Sequence, residues 1–176
     1  MFRRAPSRIA GLRATALLRV ALLPVALLLV GLLSACESDK VPIGSPTLEA
    51  ADRAACTDLV DALPDTVADE LRRPVDPEDA LGAAYGDPAI VLVCGADMPT
   101  DFDEFSPCVE VDGVGWYVPV DEMGDQPTSV TMTTIGFRPA VQVTVPEAYW
   151  RQGAPAAQVD LAPAIRRTLT RESRCR

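Results

Sequence analysis

Residues 20–33 read VALLPVALLLVGLL, fourteen apolar positions in succession without a charge. That is shorter than the roughly 20 apolar residues a helix needs to cross a bilayer. After a polar stretch the pattern becomes periodic: Leu48, Ala51, Ala55, Leu59 and Leu63 recur every three or four residues and Pro64 stops the run. This predicts a helix with one buried face, with Cys56 beside that face. Across residues 65–88 no period holds, because Arg72, Arg73, Pro74 and Pro77 interrupt it, and residues 67–75 suit either a short strand or a short helix. Residues 89–94, AIVLVC, form an apolar run between Pro88 and Gly95 and predict a central strand. Residues 109–112 and 115–120 predict two strands around an Asp112-Gly113 turn. Residues 129–135 and 140–145 predict two more, separated by Gly136, Phe137, Arg138 and Pro139. A last helix is expected from Asp160 as N-cap, with Pro163 in its first turn and Leu161, Ile165 and Leu169 on one face.

One helix, then mostly consecutive strands, then another helix is the order of an α+β domain. The expected architecture is a mainly antiparallel sheet with an N-terminal and a C-terminal helix packed on one face. No internal repeat is apparent.

The apolar run changes meaning once its flanks are read. Arg3, Arg4, Arg8, Arg13 and Arg19 precede or border it, and no acidic residue occurs before Glu37. A basic leader followed by a short apolar stretch is the pattern of a cleaved signal peptide. The run ends in Leu33, Ser34, Ala35 and Cys36, which resembles the lipobox of bacterial lipoproteins. That resemblance implies cleavage after Ala35 and lipidation of Cys36, whose two acyl chains suffice for a stable anchor where one is marginal. Residues 1–35 are then the signal peptide, 36–46 the lipidated cysteine and a flexible tether, and 47–176 a single extracytoplasmic domain. The tether, rich in polar residues, proline and glycine, could hold the domain some ~30 Å from the bilayer. Arg3 and Arg4 leave both the general and the twin-arginine export routes open.

Removing the signal leaves 141 residues, with 11 basic against 25 acidic, a net charge of −14. A chain of this charge is repelled by nucleic-acid phosphates and anionic head groups, so no nucleic-acid partner is expected and the membrane is reached through the lipid. With Cys36 taken, Cys56, Cys94, Cys108 and Cys175 remain, an even number in an oxidising compartment, which predicts two disulfides in one of three connectivities. Cys94 and Cys108 bracket a short loop between two predicted strands, which favours pairing them. Cys56 would then bond Cys175 and dock the two helices.

The catalytic inventory is thin. Histidine is absent, which removes the usual base of serine and cysteine hydrolases and the commonest zinc ligand. Lys40, the single lysine, lies in the tether, and neither Ser106 nor Ser129 sits in a GxSxG elbow. Carboxylates remain: Asp97, Asp101, Asp103, Glu104, Glu110 and Asp112 lie close enough in sequence to supply the acid and base of a glycosidase. Residues 96–105, ADMPTDFDEF, also offer oxygen ligands, but lack the EF-hand spacing and its turn glycine. No cofactor and no metal site is expected.

Trp116, Arg138, Asp101 and Asp103 are the candidate ligand-binding residues. Trp116 beside Tyr117 could stack on a sugar ring, although one of two adjacent strand residues must face inward, and a core Trp is the more frequent outcome. Trp150 beside Tyr149 poses the same question. Arg138 could grip a carboxylate or phosphate, or pair with an acid of the same chain. Arg72 and Arg73 are expected on a solvated face.

The ordered set Cys56, Leu59, Leu63-Pro64, Arg72-Arg73, Tyr85-Gly86-Asp87-Pro88, Ile90 to Gly95, Cys108, Val114-Gly115-Trp116, Gly136-Phe137-Arg138-Pro139 and Val143-Thr144-Val145-Pro146 resembles an actinobacterial lipoprotein family, catalogued as domain of unknown function thirty-five fifteen. The likeness spans nearly the whole mature chain. Tyr85 stands where that family is expected to carry Trp, and Val93 where it is expected to carry Arg. The resemblance implies location, disulfides and a single fold, without a mechanism. The expected function is therefore that of a non-catalytic accessory or binding lipoprotein on the outer face of the cytoplasmic membrane, acting on an envelope protein or glycan. A carboxylate-dependent hydrolase of envelope glycans and a purely structural envelope protein are the alternatives.

Overall fold

A computed structural model describes residues 39–103, 105–124 and 126–175. The expected signal peptide, Cys36 and Glu104 lie outside the described residues. The described chain starts in a two-residue strand, β1 (Val41–Pro42), and then forms helix α1 (Ala50–Ala62). Leu63 turns to extended backbone directly before Pro64, whose ring disfavours helical geometry in the residue ahead of it.

The ambiguous segment resolves into four short strands: β2 (Thr66–Val67), β3 (Glu70–Arg73), β4 (Val75–Asp76) and β5 (Gly82–Tyr85). The predicted strands follow as β6 (Ile90–Cys94), β7 (Val109–Val111), β8 (Val114–Tyr117) and β9 (Val130–Ile135), then β10 (Phe137–Arg138) and β11 (Val141–Val145). Asp112 and Gly113 both adopt positive φ between β7 and β8, as the two-residue hairpin requires. Helix α2 (Gly153–Thr168) and strand β12 (Thr170–Arg171) end the described fold.

Eight strands make one antiparallel sheet in the order β2-β3-β5-β6-β11-β9-β8-β7, so the fold has a mostly antiparallel sheet and two helices. Strand β6 lies near the centre, as its apolar run requires. Register aligns Ala83, Leu92, Val143 and Met132 across four adjacent strands, all buried. These side chains share one core with Leu59 of α1, Leu161 and Ile165 of α2, and Trp116 of β8. The alternate row, Gly82, Val93, Gln142, Thr133 and Tyr117, points to the opposite face.

That opposite face carries a smaller cluster of Ile43, Ala80 and Ala84, with Val41, Val75, Val91 and Val93 packed around it. The Val41 N–H donates to the Pro74 carbonyl and the Ile43 N–H to the Asp76 carbonyl, both at 2.9 Å, so β1 lies parallel to β4. Lys40 Nζ adds a 2.7 Å ion pair with Glu78. Residues 41–43, expected in the flexible tether, therefore belong to the folded domain, because Ile43 finds apolar cover there.

The disulfides are Cys56–Cys94 and Cys108–Cys175, with Cα atoms 5.5 and 5.7 Å apart. This corrects the expected pairing. Cys94 ends central strand β6 whereas Cys108 precedes edge strand β7, and three strands separate them. At ~4.8 Å per strand they stand far beyond bonding reach. Cys94 instead faces the core, where Cys56 comes down from α1.

Helix α2 also begins earlier than expected, at Gly153 rather than after Asp160. Its first turns bury Gly153 and Ala157, residues too small to register as an apolar stripe. Asp160 is thus inside the helix, and its carboxylate accepts the Ala68 N–H at 2.8 Å. Pro163 lies in the helix interior instead of the first turn.

Candidate functional site

A cleft of about 530 Å³ opens between the loop that leaves β6 and the corner joining β9, β10 and β11. Gly95 makes the first wall possible: its φ is +83°, and a Cβ there would sit 2.5 Å from Leu48 Cδ1. Only glycine takes that turn without a clash. The Gly95 N–H then donates to the Ala140 carbonyl at 2.7 Å, which ties the loop to the start of β11. The C-terminal tail closes one end, with Glu172 N–H donating to the Gly136 carbonyl at 2.8 Å.

The cleft combines apolar surface from Leu48, Met98 and Phe102 with charge from Arg138, Asp52 and Asp97. Glu172 adds a third carboxylate to the lining, against the single guanidinium of Arg138. Arg138 Nη2 meets Asp52 Oδ2 at 3.2 Å, and 61 % of the Arg138 side chain is exposed. An exposed pair of this kind contributes little to stability, about 0–1 kcal/mol. Chemically it leaves several guanidinium N–H groups facing solvent beside apolar walls, a combination suited to a ligand carrying a hydrogen-bond acceptor and an apolar group.

The four candidate binding residues separate. Arg138 lines the cleft, but Trp116 is fully buried in the core and has no access to a ligand. Its indole Nε1 and the Thr133 hydroxyl lack a hydrogen-bond partner among the described residues. Asp101 is exposed and outside the cleft lining, and accepts the Tyr117 hydroxyl at 2.7 Å. Phe102 stands edge-on to the Tyr117 ring at 5.2 Å and also lines the cleft, so the Asp101-Phe102 pair docks the loop on β8. The bond to Asp101, then burial, push the Tyr117 phenol up to about 12. Asp103 serves its own turn, accepting the Phe105 N–H at 2.9 Å and the Ser106 hydroxyl at 3.1 Å.

The remaining nominated acids are also dispersed. Glu110 pairs with Arg171 at 3.2 Å, and Asp112 forms the β7–β8 turn. Of the described acids in the nominated group, Asp97 alone lines the cleft. Asp52 and Glu172 carry no sequence signal of the cleft, since they lie 45 residues before and 75 residues after Asp97 and no local motif joins them. Arg73 departs from the solvated face expected for it: its guanidinium donates to the Gly86 carbonyl at 3.0 Å and meets Asp87 at 3.5 Å. Arg72 is exposed, and donates to the Val60 carbonyl at 3.2 Å.

Tyr85 is buried and donates to the Pro64 carbonyl at 3.1 Å, while burial pushes its phenol up to about 12. Val93 packs in the smaller cluster near Ile43. Among the described residues no group of three or more histidine, cysteine or acidic side chains is placed to hold a metal ion. No helix of the described residues is long and apolar enough to cross a membrane.

No curated protein matches the chain, and no solved structure does. A family model described as a protein of unknown function (DUF3515) matches residues 16–173, and with nearly its whole length covered the chain belongs to that family.

Proposed function

We propose that this protein is a lipoprotein anchored through Cys36 on the outer face of the cytoplasmic membrane, whose domain binds an envelope protein presenting a hydrogen-bond acceptor and an apolar group together. The leader supports the anchor: five arginines, a fourteen-residue apolar run and Leu33-Ser34-Ala35-Cys36. With Val41–Pro42 paired to β4, only residues 36–40 lie between the lipid-carrying cysteine and the paired strand, a reach of at most ~15 Å. The domain is then held close to the lipid surface.

The observation that carries the binding reading is the cleft itself, in which exposed Arg138 stands among Leu48, Met98 and Phe102. A photoreactive amino acid at Met98, introduced into the anchored protein on intact cells, tests it. The expected result is one saturable adduct that disappears in Arg138→Glu. Recovery of random neighbours alone overturns the reading.

Three carboxylates in one cleft, Asp52, Asp97 and Glu172, favour a carboxylate-dependent hydrolase of envelope glycans as the second reading. Release of reducing ends from envelope glycan, abolished by Asp97→Asn, would replace the first reading with the second.

A further inference from the structure

A second recess, of about 290 Å³, lies apart from the Arg138 cleft, between the β2–β3 turn and the first turn of α2. It is lined by the aromatic residues Tyr149 and Trp150, the small residues Gly153 and Ala156, and the polar Asp69 and Gln152. Gly153 lets Tyr149 pack against the start of α2, since a Cβ there would lie 2.5 Å from Tyr149 Cβ. A neighbouring recess of about 330 Å³ shares Trp150 and adds Arg151 and Glu122. Trp150 therefore borders both. Arg151 lies over it, with its guanidinium carbon 4.2 Å from the ring centroid, yet lines only the neighbouring recess.

The backbone around these recesses is held in costly conformations. Ala68, Asp69 and Arg151 have φ of 51°, 65° and 73°, in the left-handed region that disfavours side chains with a Cβ. Among the described residues one other non-glycine, Asp112, does the same, and it serves an ordinary hairpin turn. Ala68 and Asp69 also make a hairpin turn, but theirs is secured by a tertiary bond, the Ala68 N–H donating to Asp160 of α2. A carboxylate inside a helix and 92 positions away in sequence thus fixes the turn that carries Asp69 to the rim of the recess.

We infer that this recess binds one pyranose unit of an uncharged saccharide. A sugar ring presents an apolar C–H face and a rim of hydroxyls, and an aromatic wall with a few fixed polar groups matches both. Trp150 stacks on the ring. The Asp69 carboxylate accepts hydroxyl protons, and the Gln152 amide accepts and donates. Asp69, with Glu122 next door, repels phosphorylated or polyanionic ligands. Asp160 is a positioning residue, acting through the turn.

The test uses the purified mature protein, residues 36–176, in detergent and two probes, chitotetraose and maltotetraose. Binding is followed by the NMR signals of the two tryptophan indoles, of which Trp116 is fully buried. One saccharide is expected to shift the Trp150 signal saturably, and Arg138→Glu is expected to leave that shift unchanged, which separates this site from the cleft. Asp69→Ala is expected to weaken binding about tenfold, the value of one lost charge-assisted hydrogen bond. Asp160→Ala is expected to weaken it less, and Asp160→Asn to restore it, because the amide oxygen accepts the same N–H. Ala156→Met, which removes no contact, is expected to block the recess. Absence of a saturable shift with both saccharides, or a shift that survives Ala156→Met, overturns the proposal.

Discussion

The two faces of the eight-stranded sheet are finished in different ways. On one, Leu92, Met132, Val143 and Trp116 meet Leu59, Leu161 and Ile165 of the helices in a core crossed by the Cys56–Cys94 bond. On the other, three buried residues, Ile43, Ala80 and Ala84, lie near the β1–β4 ribbon, and Tyr117 anchors the Asp101-Phe102 loop. The first face carries stability through apolar area. The second holds two segments in place: the leading stretch of the domain and the cleft wall. Regions with few apolar contacts open locally at low cost, so the second face is the one able to release its segments while the fold persists.

Removing the Cys56–Cys94 bond with paired alanines tests the first face most severely. Its 38-residue separation corresponds to about 4 kcal/mol on chain-entropy grounds, so thermal unfolding should drop sharply. Leu92→Ala should cost about 3 kcal/mol by emptying a site at the sheet centre, measured by urea unfolding. Ile43→Ala should cost about 2 kcal/mol or less and speed hydrogen exchange at the Val41 and Ile43 amides before any core amide. If core and ribbon amides exchange together in that variant, the two faces are one cooperative unit and the distinction fails.

Alkaline titration sharpens the contrast further. The Tyr85 and Tyr117 phenols are both raised to about 12, so the folded chain keeps protons that the unfolded chain loses near 10. The contribution of these two groups to stability is therefore constant below about pH 10 and is lost as pH rises towards 12. Tyr85→Phe should remove part of that fall by unfolding assay, and Tyr117→Phe should instead free the 97–103 loop to proteolysis. The smallest effect belongs to Arg138→Ala, under about 1 kcal/mol by thermal unfolding, since its pair with Asp52 is exposed.

Strands β6, β7, β8, β9 and β11 and helix α1 were legible because their apolar positions repeat at one period or form a bounded run. Strand β5, GAAY, was not, since its small residues resemble a loop although all four are buried. The start of α2 was hidden for the same reason. Trp116 in the core was legible from alternation, whereas the cleft was not: its charges come from residues 52, 97, 138 and 172, which only the sheet corner brings together.

By itself the sequence determined the periodic elements, the strongly acidic balance and the even set of cysteines beyond Cys36, because each of these is local or additive along the chain. Tertiary structure alone decided which cysteines pair, where the leading segment docks and which acids share a cleft. Those outcomes depend on strand order, which places β6 beside β11 and far from β7, and strand order is a property of the whole sheet.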